Sequence, residues 1–207
     1  MPFTALLDAC VIYPVGLRDT LLTISETGLY RVTWSPNILE EARRNILADL
    51  ADLPPADLDR SFAAMARAFP DALITGHEAL IDAMTNHPKD RHVLAAAVTD
   101  GVQVIVTFNL RDFPPESCAP YEIDVQHPDE FLAYALELDP EAVITALAYQ
   151  AAKRRKPATS LGELLTDLSS ALPEFTASVR SELAHIDPGE PWLRDITPAD
   201  VDIGTAR

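Results

Sequence analysis

The sequence predicts an α/β fold with a central, mostly parallel sheet flanked by helices, followed by a small all-helical segment. Three observations carry this reading. Apolar runs of strand length, FTALL and VQVIV, alternate with segments of helical periodicity up to about residue 125. After residue 128 only helical spacing remains. Proline and capping residues stand where each helix should begin.

Residues 3–7 are a short apolar run ended by Asp8, the pattern of a buried parallel strand that delivers an acid at its carboxyl end. In α/β sheets that end is where ligands bind. Residues 15–25 read as a helix closed by Gly28, and residues 30–34 as a second strand rich in β-formers. Ser35 and Pro36 supply an N-cap and a first-turn proline for a helix to about Leu50. Pro54 and Pro55 punctuate before an Ala-rich helix over about 56–69, and residues 71–75 are expected to form a third strand.

His87-Pro88-Lys89-Asp90 is a turn into a helix over 91–99, where Val93, Leu94, Ala97 and Val98 repeat with helical spacing and Gly101 ends the run. The strand over 102–106 follows, ended by Thr107-Phe108-Asn109, and residues 121–125 are expected to form a last strand. Helices are then expected over 128–138, 140–153, 160–172 and 173–185, with Leu161, Leu164, Leu165 and Leu168 as core. The tail over 187–207 is rich in Pro and Asp and lacks periodicity, so it reads as a strap held by Trp192 or as disordered. The expected domains are therefore 1–127, 128–186 and this tail.

With 207 residues and 48% hydrophobic composition, the chain can bury a substantial core. No window approaches the roughly 18 apolar residues of a membrane span, and the amino terminus lacks a basic leader, so a cytoplasmic location is expected and no membrane partner. Cys10 and Cys118 form no CxxC pair and read as small buried residues, with a reactive thiol the alternative for Cys10 beside Asp8. The net charge of -16 argues against broad capture of nucleic acid. Basic residues nevertheless cluster at Arg43 and Arg44, at Lys89 and Arg91, and over Lys153, Arg154, Arg155 and Lys156, although each cluster taken alone reads as a solvated face.

Three acids stand where such a fold can gather them: Asp8 at a strand end, Glu41 on the helix after the second strand, and Asp90 opening a later helix. Carboxylates alone would repel a phosphodiester. A Mg²⁺ or Mn²⁺ ion held by their oxygens turns the repulsion into attraction, activates water and stabilises charge on the phosphate.

The segments LLDACV, SPNILEEARRNI, DRHVLAAAV and VIVTFNLRDFP, in this order, resemble the four acidic-site segments of PIN-domain ribonucleases, and most closely VapC-type toxins of type II toxin–antitoxin systems. The resemblance covers about residues 3–125, and the helical remainder is similar to the extra carboxyl-terminal domain that some PIN proteins carry. It implies that Asp8, Glu41 and Asp90 hold a catalytic divalent metal. Thr107 matches the family's hydroxyl at the last strand end. Where the family has a fourth acid, two residues after that threonine, this chain has Asn109, with Asp112 three residues further on; Asn109 offers a carbonyl oxygen without charge.

Each of these residues also suits a plainer role. Asp8 and Asp90 also suit helix caps, Glu41 a solvated helix face, and Asn109 and Asp112 a turn. His77, His87 and His92 read as surface histidines, since His87 and His92 are five apart and share no helix face as an i, i+4 zinc pair would. The resemblance implies a metal-dependent endoribonuclease and toxin, with RNA as substrate, a cognate antitoxin as inhibitor and a homodimer as assembly. The alternative is a non-catalytic PIN module that serves as a binding scaffold. A receiver domain lacks its upstream acidic pair here, and a haloacid-dehalogenase-like phosphatase would need a second Asp where Cys10 stands.

Overall fold

In the computed structural model, residues 2–153 and 159–186 are described. The tail over 187–207 with Trp192, and Arg154, Arg155 and Lys156 of the last basic run, lie outside them. The chain divides into two compact units: Met1–Val15 with Tyr30–His127, and Gly16–Leu29 with the residues from Pro128 onward.

The first unit is built on four parallel strands: β1 (Phe3–Leu7), β2 (Tyr30–Thr33), β3 (Val104–Val106) and β4 (Asp124–Gln126). Their order is β2-β1-β3-β4. The chain leaves β1 toward one edge and returns from β2 to the other side, so the topological switch point lies between β1 and β3. This is where the carboxyl ends of parallel strands open a crevice. Leu6, Leu7, Ile105 and Val106 are fully buried, as strands covered on both faces require. The strand expected over 71–75 does not form. Instead Trp34 makes an isolated parallel bridge, donating its N–H to Ala72 O and accepting from Ile74 N, each at 2.9 Å. Three residues around a single bridge do not extend into a ladder. The last strand begins three residues later than expected and reaches Gln126.

Helix α1 (Ala9–Ile12) follows β1 directly, a turn of helix that its four apolar or small residues did not announce. Helix α2 (Val15–Ser25) belongs with the second unit from Gly16 onward. Ser35 caps α3 (Pro36–Asp49) by accepting from Ile38 N, and Ile38, Ala42 and Ile46 form its buried stripe. Helix α4 (Pro55–Ala68) is followed by a 3₁₀ helix over Glu78–Ala83, and α5 (Arg91–Asp100) starts at Asp90 and ends at Gly101 with φ of 62°, the left-handed cap that glycine favours. A short α6 (Pro115–Cys118) precedes β4.

The second unit contains α7 (Pro128–Leu138), α8 (Pro140–Lys153), α9 (Leu161–Leu168) and α10 (Pro173–His185) beside α2. Helix α9 stops four residues before its expected end. Its start carries a capping box between Ser160 and Glu163, and Leu161, Leu164, Leu165 and Leu168 are buried. Buried Gln150 joins α8 to α2, accepting from Thr20 Oγ1 at 3.0 Å and donating to Gly16 O at 3.3 Å. Among the described residues no helix is long and apolar enough to cross a membrane.

Candidate metal-binding active site

Asp8 ends β1 and opens α1, and it is 3% exposed. Its Oδ1 accepts from Ala9 N at 2.6 Å and its Oδ2 from Thr107 Oγ1 at 2.7 Å. Thr107 follows β3, so the pair spans the switch point, and the strand pairing that continues to Asp8 N and Val106 O at 3.1 Å holds the two loops together. The cap that a bland reading assigned to Asp8 is therefore real, and it occupies only one of two oxygens.

Burial drives the Asp8 carboxyl above its ordinary range, against the opposing hydrogen bonds from Thr107, Cys10 and Ala9, and the nearby Glu41 charge pushes the same way. Asp90 is also raised, by burial first and then by the charge of Asp8, with Asp112 and Glu41 adding to it. Asp90 thus lies within electrostatic reach of Asp8, Asp112 and Glu41, and Asp8 within reach of Glu41. Such mutual repulsion at the end of a sheet, with hard oxygen donors, fits a divalent cation.

Glu41 is half-buried on α3, and His92 Nε2 lies 3.3 Å from its Oε2. That contact is the main reason the Glu41 carboxyl lies below its usual range; the charges of Arg44 and Lys89 act in the same direction. His92 Nδ1 is buried with no hydrogen-bond partner among the described residues. The ring proton consequently belongs on Nε2, the tautomer this geometry assigns, because a proton on Nδ1 would be left unsatisfied. His87 Nδ1 sits 3.2 Å from Asp90 Oδ2, and its backbone N–H donates to Asp112 O at 3.0 Å. One ligand atom each from His87, Asp90 and Asp112 lies within 4.8 Å of the others.

Asn109 is exposed, and its backbone amide donates to Thr107 Oγ1 at 3.0 Å. Asp112 closes a 3₁₀ turn over Leu110–Asp112. Cys10 is half-buried, 3.3 Å from both Asp8 Oδ2 and Thr107 Oγ1, and accepts from Phe108 N at 3.3 Å. Burial, then the Asp8 charge, pushes its thiol up to about 12, which removes the reactive-thiolate reading.

Two of the three histidines correct the surface assignment: His77 is fully buried and 3.1 Å from Asn37 Oδ1, and His92 is largely covered beside Glu41. His87 is exposed, as expected, and still meets Asp90. Their position was the available signal: His92 stands in the first turn of the helix that Asp90 opens, and His87 in the turn before it.

Comparison with known proteins gives two matches. Residues 128–181 match the family described as the VapC50 C-terminal domain. Over 127 residues the chain is 39% identical to a Mycobacterium tuberculosis protein named "Putative ribonuclease VapC50", an alignment covering 59% of this chain and 75% of that protein. No solved structure matches the chain.

Proposed function

The chain belongs to the VapC family of PIN-type proteins, in the form that carries a VapC50-type carboxyl-terminal domain, and from that premise we propose that it is a metal-dependent endoribonuclease and the toxin of a toxin–antitoxin pair. The single observation that carries this reading is the gathering of Asp8, Glu41 and Asp112 within electrostatic reach of Asp90 at the carboxyl end of the sheet. When bound, Mg²⁺ or Mn²⁺ supplies an activated water and charge stabilisation for in-line attack on an RNA phosphate.

The chain's own residues do the positioning. Thr107 and the Ala9 amide orient the two oxygens of Asp8. His92 holds Glu41, and His87 holds Asp90, in the manner of outer partners that fix the direction of ligand carboxylates. Asp112 takes the role that the neutral Asn109 leaves unfilled. A cognate antitoxin would inhibit by inserting a cationic segment, most simply an Arg, among these acids. A homodimer and a cytoplasmic location belong to the same reading, as does a boundary near residue 127 between nuclease and helical domains.

The test is incubation of the purified protein with RNA and Mg²⁺ or Mn²⁺. Cleavage should be abolished by chelator and by Asp8→Asn; persistent cleavage by that variant, or none with any metal, overturns the reading. The neutral Asn109 favours one competitor, a scaffold that binds without cutting. Calorimetric titration separates them, since a scaffold takes up little Mn²⁺ in a manner dependent on Asp8 and Asp90.

A further inference from the structure

We infer that the groove beside Glu41 is the track along which a single RNA strand reaches the acidic site, with Arg44 and Lys89 holding phosphates on the approach. The inference rests on the ribonuclease reading and adds the substrate contacts.

The basic clusters separate once their partners are known. Arg43 is committed to Asp59, with Nε donating to Oδ1 at 2.8 Å. Arg91 Nε donates to Asn86 O at 3.4 Å. Arg44 and Lys89 instead line a groove of about 610 Å³ together with Glu41, Asn37 and Asn45. Arg44 follows Glu41 by one turn of α3, and Lys89 immediately precedes Asp90, so one cation stands beside each of two site acids.

The occupant follows from charge. Two exposed cations beside a metal-binding cluster attract the phosphates of a strand whose neighbouring phosphate lies on the metal. They repel the Arg-bearing protein segment that the acids alone would attract. Glu40, on the same groove, repels a phosphate and limits how far the strand can run that way. Asn45 offers a donor and an acceptor suited to the 2′-hydroxyl of RNA, and Asn37, whose Oδ1 lies 3.1 Å from His77 Nε2, offers its amide nitrogen. With the chain's overall net charge of -16 opposing nucleic acid, such a local track supplies the cationic contact that RNA needs.

The test measures binding rather than cleavage. A fluorescein-labelled single-stranded RNA of mixed sequence is titrated with the full chain in Ca²⁺ over a series of salt concentrations. Arg44→Gln with Lys89→Gln should weaken binding about tenfold or more and reduce the slope of log affinity against log salt by roughly 0.7 for each cation removed. Arg67→Gln, on exposed α4, should change neither. Calorimetric Mn²⁺ uptake by the double variant should persist, which separates a lost track from a lost fold. Unchanged affinity and slope overturn the inference while leaving the ribonuclease reading intact if the native chain still cuts RNA. No RNA binding by the native chain overturns both.

Discussion

Thr107 Oγ1 donates to Asp8 Oδ2 at 2.7 Å, joining the residues that follow β3 and β1 across 99 positions of sequence. The bond opposes the burial that raises the Asp8 carboxyl. Thr107→Val removes the donor and keeps the volume. The Asp8 pKa should then rise further, so Mn²⁺ uptake, which needs the carboxylate, should begin at higher pH. The loss of the buried hydrogen bond should lower stability by about 1 kcal/mol, more where Asp8 is ionised than at low pH. Calorimetric titration across pH, with chemical denaturation in chelator, checks both; an unmoved onset of metal uptake would contradict the first.

Asp8→Asn should abolish cleavage yet stabilise the metal-free chain at neutral pH. Asp8 is raised in the folded state, so between its unfolded and folded pKa values the native chain holds the extra proton. Stability therefore falls as pH rises through that window and stays lowered above it. Removing the carboxylate removes that fall. Melting in chelator against pH should show it, while Mn²⁺ should raise the Tm of the native protein and not of the variant.

Glu41 has the opposite sign. Its carboxyl is lowered, chiefly by His92, so its contribution is present above the unfolded pKa and lost as pH falls through the folded one. His92→Ala should weaken Mn²⁺ binding about 10–100-fold and flatten this acid-side loss of stability. His92→Gln, which keeps a donor, should recover part of the affinity. Equal affinity in all three proteins would refute a positioning role.

In the helical unit, buried Asp129 caps α10 from α7, accepting from Phe175 N at 2.8 Å and Glu174 N at 3.0 Å. Asp129→Ala should cost about 1–2 kcal/mol. Asp129→Asn should cost less, because an amide oxygen still accepts one of the two bonds. Denaturant unfolding followed by far-UV circular dichroism measures the difference.

Cys10 should be alkylated slowly. With its thiol pushed up to about 12 by burial and by Asp8, little thiolate exists at neutral pH. Iodoacetamide labelling of Cys10, followed by mass spectrometry, should be far slower than that of free cysteine and faster in Asp8→Asn, where the second of those two influences is gone.

Where the sequence pattern was periodic, the elements formed at the expected residues: β1, α2, α7, α8 and α10 begin and end where proline, glycine and apolar spacing put them. Residues 71–75 had strand composition but only Trp34 as neighbour, and strand pairing is a property of two segments. Likewise α9 ended early although Ala171 and Leu172 continue its apolar spacing, because Pro173 opens the next helix and the residue before a proline is kept out of helical backbone. In the site, Asp8, Asp90 and Thr107 stood out because each closes or opens an element. His87 and His92 did not, since imidazoles five apart in sequence share no face and gain meaning only from Asp90 and Glu41.

From its residues alone the chain determined an α/β unit with acids at element ends and a helical addition, since periodicity and capping are local and act within one turn or one strand. Which of two adjacent glutamates meets His92, which histidine holds which carboxylate, and which cations line the groove were decided only when distant segments met. Those outcomes depend on Coulomb and hydrogen-bond distances of a few ångströms, and such distances exist only once β1 and β3 lie side by side.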